Sequence, residues 1–242
     1  MIHIYSIQYN KPLFIDLQKK SFDKFIKNYS FTVIDNSIDE NIASDIKKIC
    51  EENQLKVIVT KNKFDSRMNG LHGISHEIGI NHFLDELKNS HDENDIVMLL
   101  DHDVFLISDI EKISDEILKS SILTIEQIRE HINYIWPGLV IFNLKNCVNI
   151  QEISLDGAKL INNTWIPIDN GVFTDVGGHS YHYLKKYSED IIFKDIAENM
   201  IQNDDNLNEK HVFYHFHDGS QWSGYSNDVW GQKLEKIKKI IY

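Results

Sequence analysis

The run Ile96-Val97-Met98-Leu99-Leu100 limits what this chain can fold into more than any other stretch. Five consecutive apolar residues describe a strand buried on both faces. Such a strand belongs in the middle of a mostly parallel sheet covered by helices, so the expected class is α/β. The run stops at Asp101-His102-Asp103. In open α/β sheets ligands bind beyond the carboxyl ends of the strands. Two carboxylates there, one residue apart, can both address one hard divalent cation and a phosphate that it carries. The competing reading is an acidic strand-to-loop turn with aspartate as a helix cap.

The stretch before this run alternates in period. Ile2 to Ile7 reads as a strand, and Phe14, Leu17, Phe22 and Phe25 recur at helical spacing. Phe31 to Ile34 is a second strand ending in Asp35-Asn36-Ser37. Ile42, Ile46, Ile49 and Cys50 share one face of a second helix, which makes Cys50 a core residue. Leu55 to Val59 is a third strand. This β-α-β-α-β order implies right-handed crossovers and a parallel sheet. A polar loop from Asn62 to Gly73 follows, and Ser75 is the expected cap of the next helix. After Asp103, Ser108 is the expected cap of a helix carrying Ile110, Ile113 and Leu118.

The second half is less regular. Ser121 to Ile125, Leu139 to Phe142, Ile191 to Phe193 and His211 to His217 read as strands. Ser180 to Tyr187 and the stretch carrying Trp230, Leu234, Ile237 and Ile241 read as helices. Residues 144–170 show only weak periodicity.

A formal charge of −12 argues against a nucleic-acid surface and against a polybasic membrane patch. No stretch is long and apolar enough to span a bilayer. Met1 to Ser6 lacks the basic-then-apolar layout of a signal peptide, so a cytoplasmic protein is expected.

Several residues carry two readings. Asp35 either accepts a hydrogen bond from a ligand N–H at the strand end or closes an Asx-type turn. Its neighbour Asn36 reads first as a turn residue and only second as a ligand. Arg67, in a chain with very few arginines, is either a fork for diphosphate oxygens or a solvated surface cation. Asp175 sits beside Gly177-Gly178, where backbone can approach a sugar. It is either a general base or a helix cap. Trp136, Tyr181, Tyr183 and Trp222 are stacking candidates, with core packing as the default.

Four pieces together resemble the GT-A glycosyltransferases of the family 2 type: Val33-Ile34-Asp35-Asn36-Ser37, Gly73-Ile74-Ser75 through Gly79-Ile80-Asn81, Leu100-Asp101-His102-Asp103-Val104, and Trp136-Pro137-Gly138 through Asn143. The match spans roughly the first 145 residues. The resemblance implies a single GT-A, Rossmann-like domain over 1–242. About 1–106 would be the nucleotide-sugar-binding half and about 107–242 the acceptor-binding half. It implies a metal-dependent transfer from a nucleotide-diphospho-sugar, most often a UDP-sugar, to a glycan or other hydroxyl. It implies Mn²⁺ or Mg²⁺ on Asp103, and Asp101 bound through water or touching the ribose. His102 would be an outer contact, and a late histidine, His215 or His217, would complete the metal site. The family's usual base lies farther along than Asp175, which keeps Glu189 and Asp190 in play.

Two other classes remain in view. One is a non-catalytic relative that binds a nucleotide-sugar or glycan. The other is a metal-dependent nucleotidyl- or phosphotransferase. Gln8-Tyr9-Asn10-Lys11-Pro12 lacks the glycine-rich loop usual in the former of these transferases, and the mid-chain Asp-x-Asp followed by Val104 does not suit a dehalogenase-type phosphatase.

Overall fold

A computed structural model describes residues 1–60, 72–161, 164–202, 207–216 and 227–242. The first half alternates as its periodicity requires: β1 (Ile2–Gln8), α1 (Leu13–Phe25), β2 (Tyr29–Asp35), α2 (Glu40–Glu52), β3 (Lys56–Val59), α3 (His72–Asn89) and β4 (Ile96–Asp101). The Asp39 carboxylate starts α2 by accepting the amides of Asn41 and Ile42. That helix buries Ile46 and Cys50 against the sheet.

The second half adds β5 (Val104–Leu106), α4 (Ser114–Lys119), β6 (Ile122–Arg129) and β7 (Ile132–Asn143). A short β8 (Lys159–Ile161) and β9 (Thr164–Ile166) follow, then α5 (Ser180–Lys186) and β10 (Phe193–Asp195). The chain closes with β11 (Met200–Gln202), β12 (Phe213–His215) and α6 (Asn227–Ile241). Among the described residues no helix is long and apolar enough to cross a membrane.

The main sheet has seven strands in the order β10-β6-β7-β4-β1-β2-β3. All its pairings are parallel except those of β7, which lies antiparallel to both β4 and β6. The result is a mostly parallel sheet flanked by helices, the expected class. β4 occupies the centre, and Val97, Met98, Leu99 and Leu100 are fully buried. Alternation sends Met98 and Leu100 into one core with Ile4, Phe22 and Val33. Val97 and Leu99 enter the other core with Tyr5, Phe83 and Phe142. Burial of each such side chain contributes about 1.5–3 kcal/mol, so charge in mid-strand would be strongly disfavoured. A small second sheet, β11-β12-β5, packs at the carboxyl end of β4.

Three local expectations fail for physical reasons. Ser75 lies inside α3, which already begins at His72. Ser108 does not cap a helix; its hydroxyl donates to the His211 carbonyl at 2.7 Å and ties the β5 side of the small sheet to the chain entering β12. The strand expected from Leu139 starts earlier and runs through Pro137. That proline has no N–H to offer, and it falls where the β6–β7 ladder shifts register between Thr124 and Glu126. The Thr124 hydroxyl reaches the Trp136 and Leu139 carbonyls there, at 3.0 and 2.7 Å.

Candidate functional site

The site is a turn held from three sides. β4 ends at Asp101, β5 starts at Val104, and the two residues between them form a tight turn. From beneath, the buried side chain of Gln18 on α1 donates to the carbonyls of Asp101 and Val104, at 3.0 and 2.9 Å. Gln8 on β1 fixes Gln18 in turn, donating to its Oε1 at 2.9 Å. Opposite, β12 runs antiparallel to β5 with His215 beside Val104, and the Phe216 amide donates to the Asp103 carbonyl at 2.8 Å. This pairing carries His215 across more than a hundred residues of chain to Asp103, with Nε2 3.6 Å from Oδ1.

The third side is α3. A Cβ on Gly79 would collide with the Ile7 side chain, at 2.8 Å, so glycine lets α3 lie close on β1. One turn earlier, His76 Nε2 meets Asp101 Oδ1 at 2.9 Å. Burial pushes the Asp101 carboxyl up, but His76, with His102 and His215, outweighs it and holds the group below the ordinary range. Burial likewise pushes the His76 imidazole down, while Asp101, Asp103 and Asp175 together hold it above its ordinary value. The field of Asp175 therefore reaches this cluster.

The Asp103 side chain is only 9% exposed. A carboxylate so buried requires a compensating charge. A cation beside it would offer one, with the His215 imidazole at hand as a further ligand. Ligands about 2.1 Å from a small divalent ion stand about 3 Å apart, close to the Asp103–His215 separation. Oxygen and imidazole donors suit manganese as well as magnesium. The donor set thus fits the divalent ion that the resemblance implies.

The other anticipated residues are placed as follows. Asp35 ends β2 at the same carboxyl edge: Gln8 pairs with Asp35, and Ile7 pairs with Asp101. It is buried, and its Oδ1 accepts the Ser37 amide at 3.0 Å. Burial pushes its carboxyl up. Asn36 Oδ1 accepts the Thr60 hydroxyl at 2.7 Å, which pins the end of β3. His102 is buried and stacks on Phe14 with centroids 5.8 Å apart. Asp175 is exposed, and its Oδ1 accepts the Tyr134 hydroxyl at 2.8 Å. Gly177 beside it packs inward, since a Cβ there would strike the Ile135 carbonyl and its φ is +103°. Glu189 and Asp190 are exposed in the turn after α5. Trp136 packs on His215 at 5.0 Å, and Tyr183 is a core residue whose hydroxyl donates to Val148. Arg67, His217 and Trp222 lie outside the described residues.

Sequence reasoning missed His76, Gln18, Lys11, Lys233 and Glu77. Gln18 had a readable signal, being the long polar residue on the apolar stripe of α1. Burial is the main cause that lowers the His102 imidazole, with His76 and Lys11 adding to it, and Lys11 Nζ lies 5.4 Å from the Trp230 ring. Lys233 is buried and donates to the Phe216 carbonyl at 3.1 Å. Burial, with Asp156 nearby, pushes the Glu77 carboxyl up to about 6. A raised acid binds its proton more tightly folded than unfolded, so stability falls as pH rises from about 4.5 through 6. Glu77→Gln is therefore expected to stabilise the fold by about 1–2 kcal/mol at pH 8 and by little at pH 4. Urea unfolding at the two pH values checks this.

No family model matches the chain. No curated protein matches it either. Solved structures do. A galactosyltransferase, LgtC, crystallised with donor and acceptor sugar analogs, aligns over 100% of this chain and 95% of its own, with 12% identity and a TM-score of 0.53. The glycosyltransferase GlyE of Streptococcus pneumoniae aligns over 100% of this chain and 63% of its own, with 13% identity and a TM-score of 0.50. With its central sheet, covering helices and full-length superposition, the chain has the GT-A glycosyltransferase fold.

Proposed function

We propose that the chain transfers a sugar from a nucleotide-diphospho-sugar, in the first instance a UDP-sugar, to a hydroxyl of a glycan or other acceptor. The observation that carries this reading is the buried Asp103 carboxylate beside His215, with Asp101 two residues away, at the carboxyl end of the central strand. The LgtC structure with this fold holds donor and acceptor sugar analogs, which supports the same ligand classes here.

Asp103, Asp101 and His215 would hold Mn²⁺ or Mg²⁺, with His217 a further candidate. The ion, when bound, stabilises the negative charge that grows on the leaving diphosphate. His76 orients the Asp101 carboxylate and keeps it ionised. Lys11 brings positive charge to the same turn, and Arg67 would add a fork to the phosphates. Asp35 and Asn36 border the nucleotide end, and His102 backs the turn from the α1 side. Tyr134 occupies Asp175 Oδ1, leaving Oδ2 to take the acceptor hydroxyl proton in an inverting transfer. The acceptor oxygen then bonds to the anomeric carbon as the bond to the diphosphate breaks.

The test is nucleotide release from a panel of UDP-, GDP- and TDP-sugars with Mn²⁺ or Mg²⁺ and hydroxyl acceptors. Release from at least one donor, abolished by EDTA, is expected. No release and no donor binding by calorimetry would remove the reading. Binding without turnover would favour the non-catalytic relative.

A further inference from the structure

The opposite end of the central strands carries a second cluster that glycosyl transfer does not use. His3 near the start of β1, His91 in the link after α3, and Asp95 immediately before β4 converge there. One ligand atom from each lies within 4.8 Å of the other two. His3 Nε2 is 3.2 Å from Asp95 Oδ1, and His91 Nδ1 is 3.8 Å from Asp95 Oδ2. The imidazole centroids are 4.5 Å apart. Strand pairing forces the meeting, since Ile2 lies beside Ile96 in the parallel β1–β4 ladder.

The ring orientations point to a ligand. His3 Nδ1 is hydrogen-bonded to the Ser30 hydroxyl, and His91 Nε2 to the Tyr5 hydroxyl, both at 2.9 Å. These outer partners fix each ring with its other nitrogen turned toward Asp95. The inner nitrogens, His3 Nε2 and His91 Nδ1, are buried and face Asp95, with no other hydrogen-bond partner among the described residues. The His91 side chain is only 4% exposed. Two buried ring nitrogens aimed at one carboxylate, each backed by a hydroxyl, is the layout of metal-ligating histidines.

We propose that His3, His91 and Asp95 form a binding site for one divalent transition-metal ion of the zinc class, with water completing its coordination. Two imidazoles and a single carboxylate suit zinc, cobalt or nickel, whereas magnesium and calcium favour sets built from oxygen alone. A cleft of about 610 Å³, lined in part by His3, Tyr5, Ser30 and His91, gives the ion a route from solvent. The bound ion would tie β1 to the link that feeds β4, at the end of the sheet remote from Asp103. Its role is to hold the fold, and it does not depend on the glycosyl-transfer reading.

The full chain is stripped with EDTA, dialysed, and titrated with Co²⁺ by visible absorption and with Zn²⁺ by thermal melting. Wild type, His91→Gln, Asp95→Asn, Asp103→Ala and the Asp95→Asn, Asp103→Ala double variant are compared, with circular dichroism to verify folding. A ligand-field band from one Co²⁺ at His3, His91 and Asp95 is expected in Asp103→Ala, and the same band in wild type, where the Asp103 turn can take a further Co²⁺. Binding there at least tenfold weaker is expected in His91→Gln and Asp95→Asn. Zn²⁺ should raise the Tm of Asp103→Ala but not of the Asp95→Asn, Asp103→Ala double variant; Asp95→Asn keeps the side-chain size and the acceptor for the Asp92 amide if His91→Gln fails to fold. No Co²⁺ band in wild type, equal affinity in Asp103→Ala and the double variant, or loss of the band in Asp103→Ala would each overturn the site.

Discussion

Asp103→Ala is expected to cut metal-dependent nucleotide release by about 10²–10⁴-fold, with little change in the fold. A Lewis-acid ion is worth several kcal/mol at the transition state, and each 1.36 kcal/mol is a factor of ten in rate. Asp103 is the more buried of the two turn carboxylates and the one that faces His215. Its removal takes a first ligand from the ion and leaves His215 facing a small void. Asp103→Asn keeps the shape and one acceptor, so its loss should be smaller but of the same kind. Steady-state release with a saturating donor, across a Mn²⁺ titration, separates the cases. A lost ligand raises the Mn²⁺ concentration needed for half-maximal rate, whereas a merely structural change would lower the rate at every concentration alike.

Gln18→Leu is expected to destabilise the protein by about 2–4 kcal/mol and to weaken Mn²⁺ activation in the same variant. Gln18 is fully buried, and its amide serves two carbonyls that flank the aspartate turn. Leucine nearly matches its volume but leaves these acceptors, and the Gln8 amide that serves Gln18 Oε1, short of a partner. Each buried group left unsatisfied costs about 1–3 kcal/mol. Because Gln18 touches no reacting atom in this account, it is a positioning residue. The expected signature is a higher Mn²⁺ requirement with a nearly unchanged donor KM. Chemical denaturation gives the stability loss, and a Gln18→Leu variant of wild-type stability and wild-type Mn²⁺ dependence would show that the turn holds itself.

These two residues differ in how readable they were. Asp103 follows an apolar run whose length and lack of alternation already force a central strand, and a strand end is a defined place in an α/β sheet. The β-α alternation up to β4, the aromatic helix α5 and the closing helix α6 followed from periodicity in the same way. Gln18 gives only a local anomaly on an apolar helix face, and its partners are set by how α1 crosses the sheet. His76 was invisible for the same reason, since its reach to Asp101 depends on the close approach that Gly79 permits. The strand character of Leu139 to Phe142 was plain, yet nothing local says that β7 inserts antiparallel between β4 and β6. His215 was legible as a strand histidine. That it meets Asp103 follows from β12 pairing with β5, a long-range event. Asp35 illustrates a double reading that both survive locally: it sits at the sheet's carboxyl edge and also closes on the Ser37 amide.

The two aspartates that close β4 are expected to hold a cation that in turn holds a diphosphate. Anomalous diffraction from a crystal soaked with MnCl₂ and UDP locates that cation without an assay. A manganese peak is expected within bonding distance of Asp103, with Asp101 or His215 beside it and the diphosphate oxygens on its open side. Bound UDP with no manganese at Asp103, or manganese confined to His3, His91 and Asp95, would contradict this.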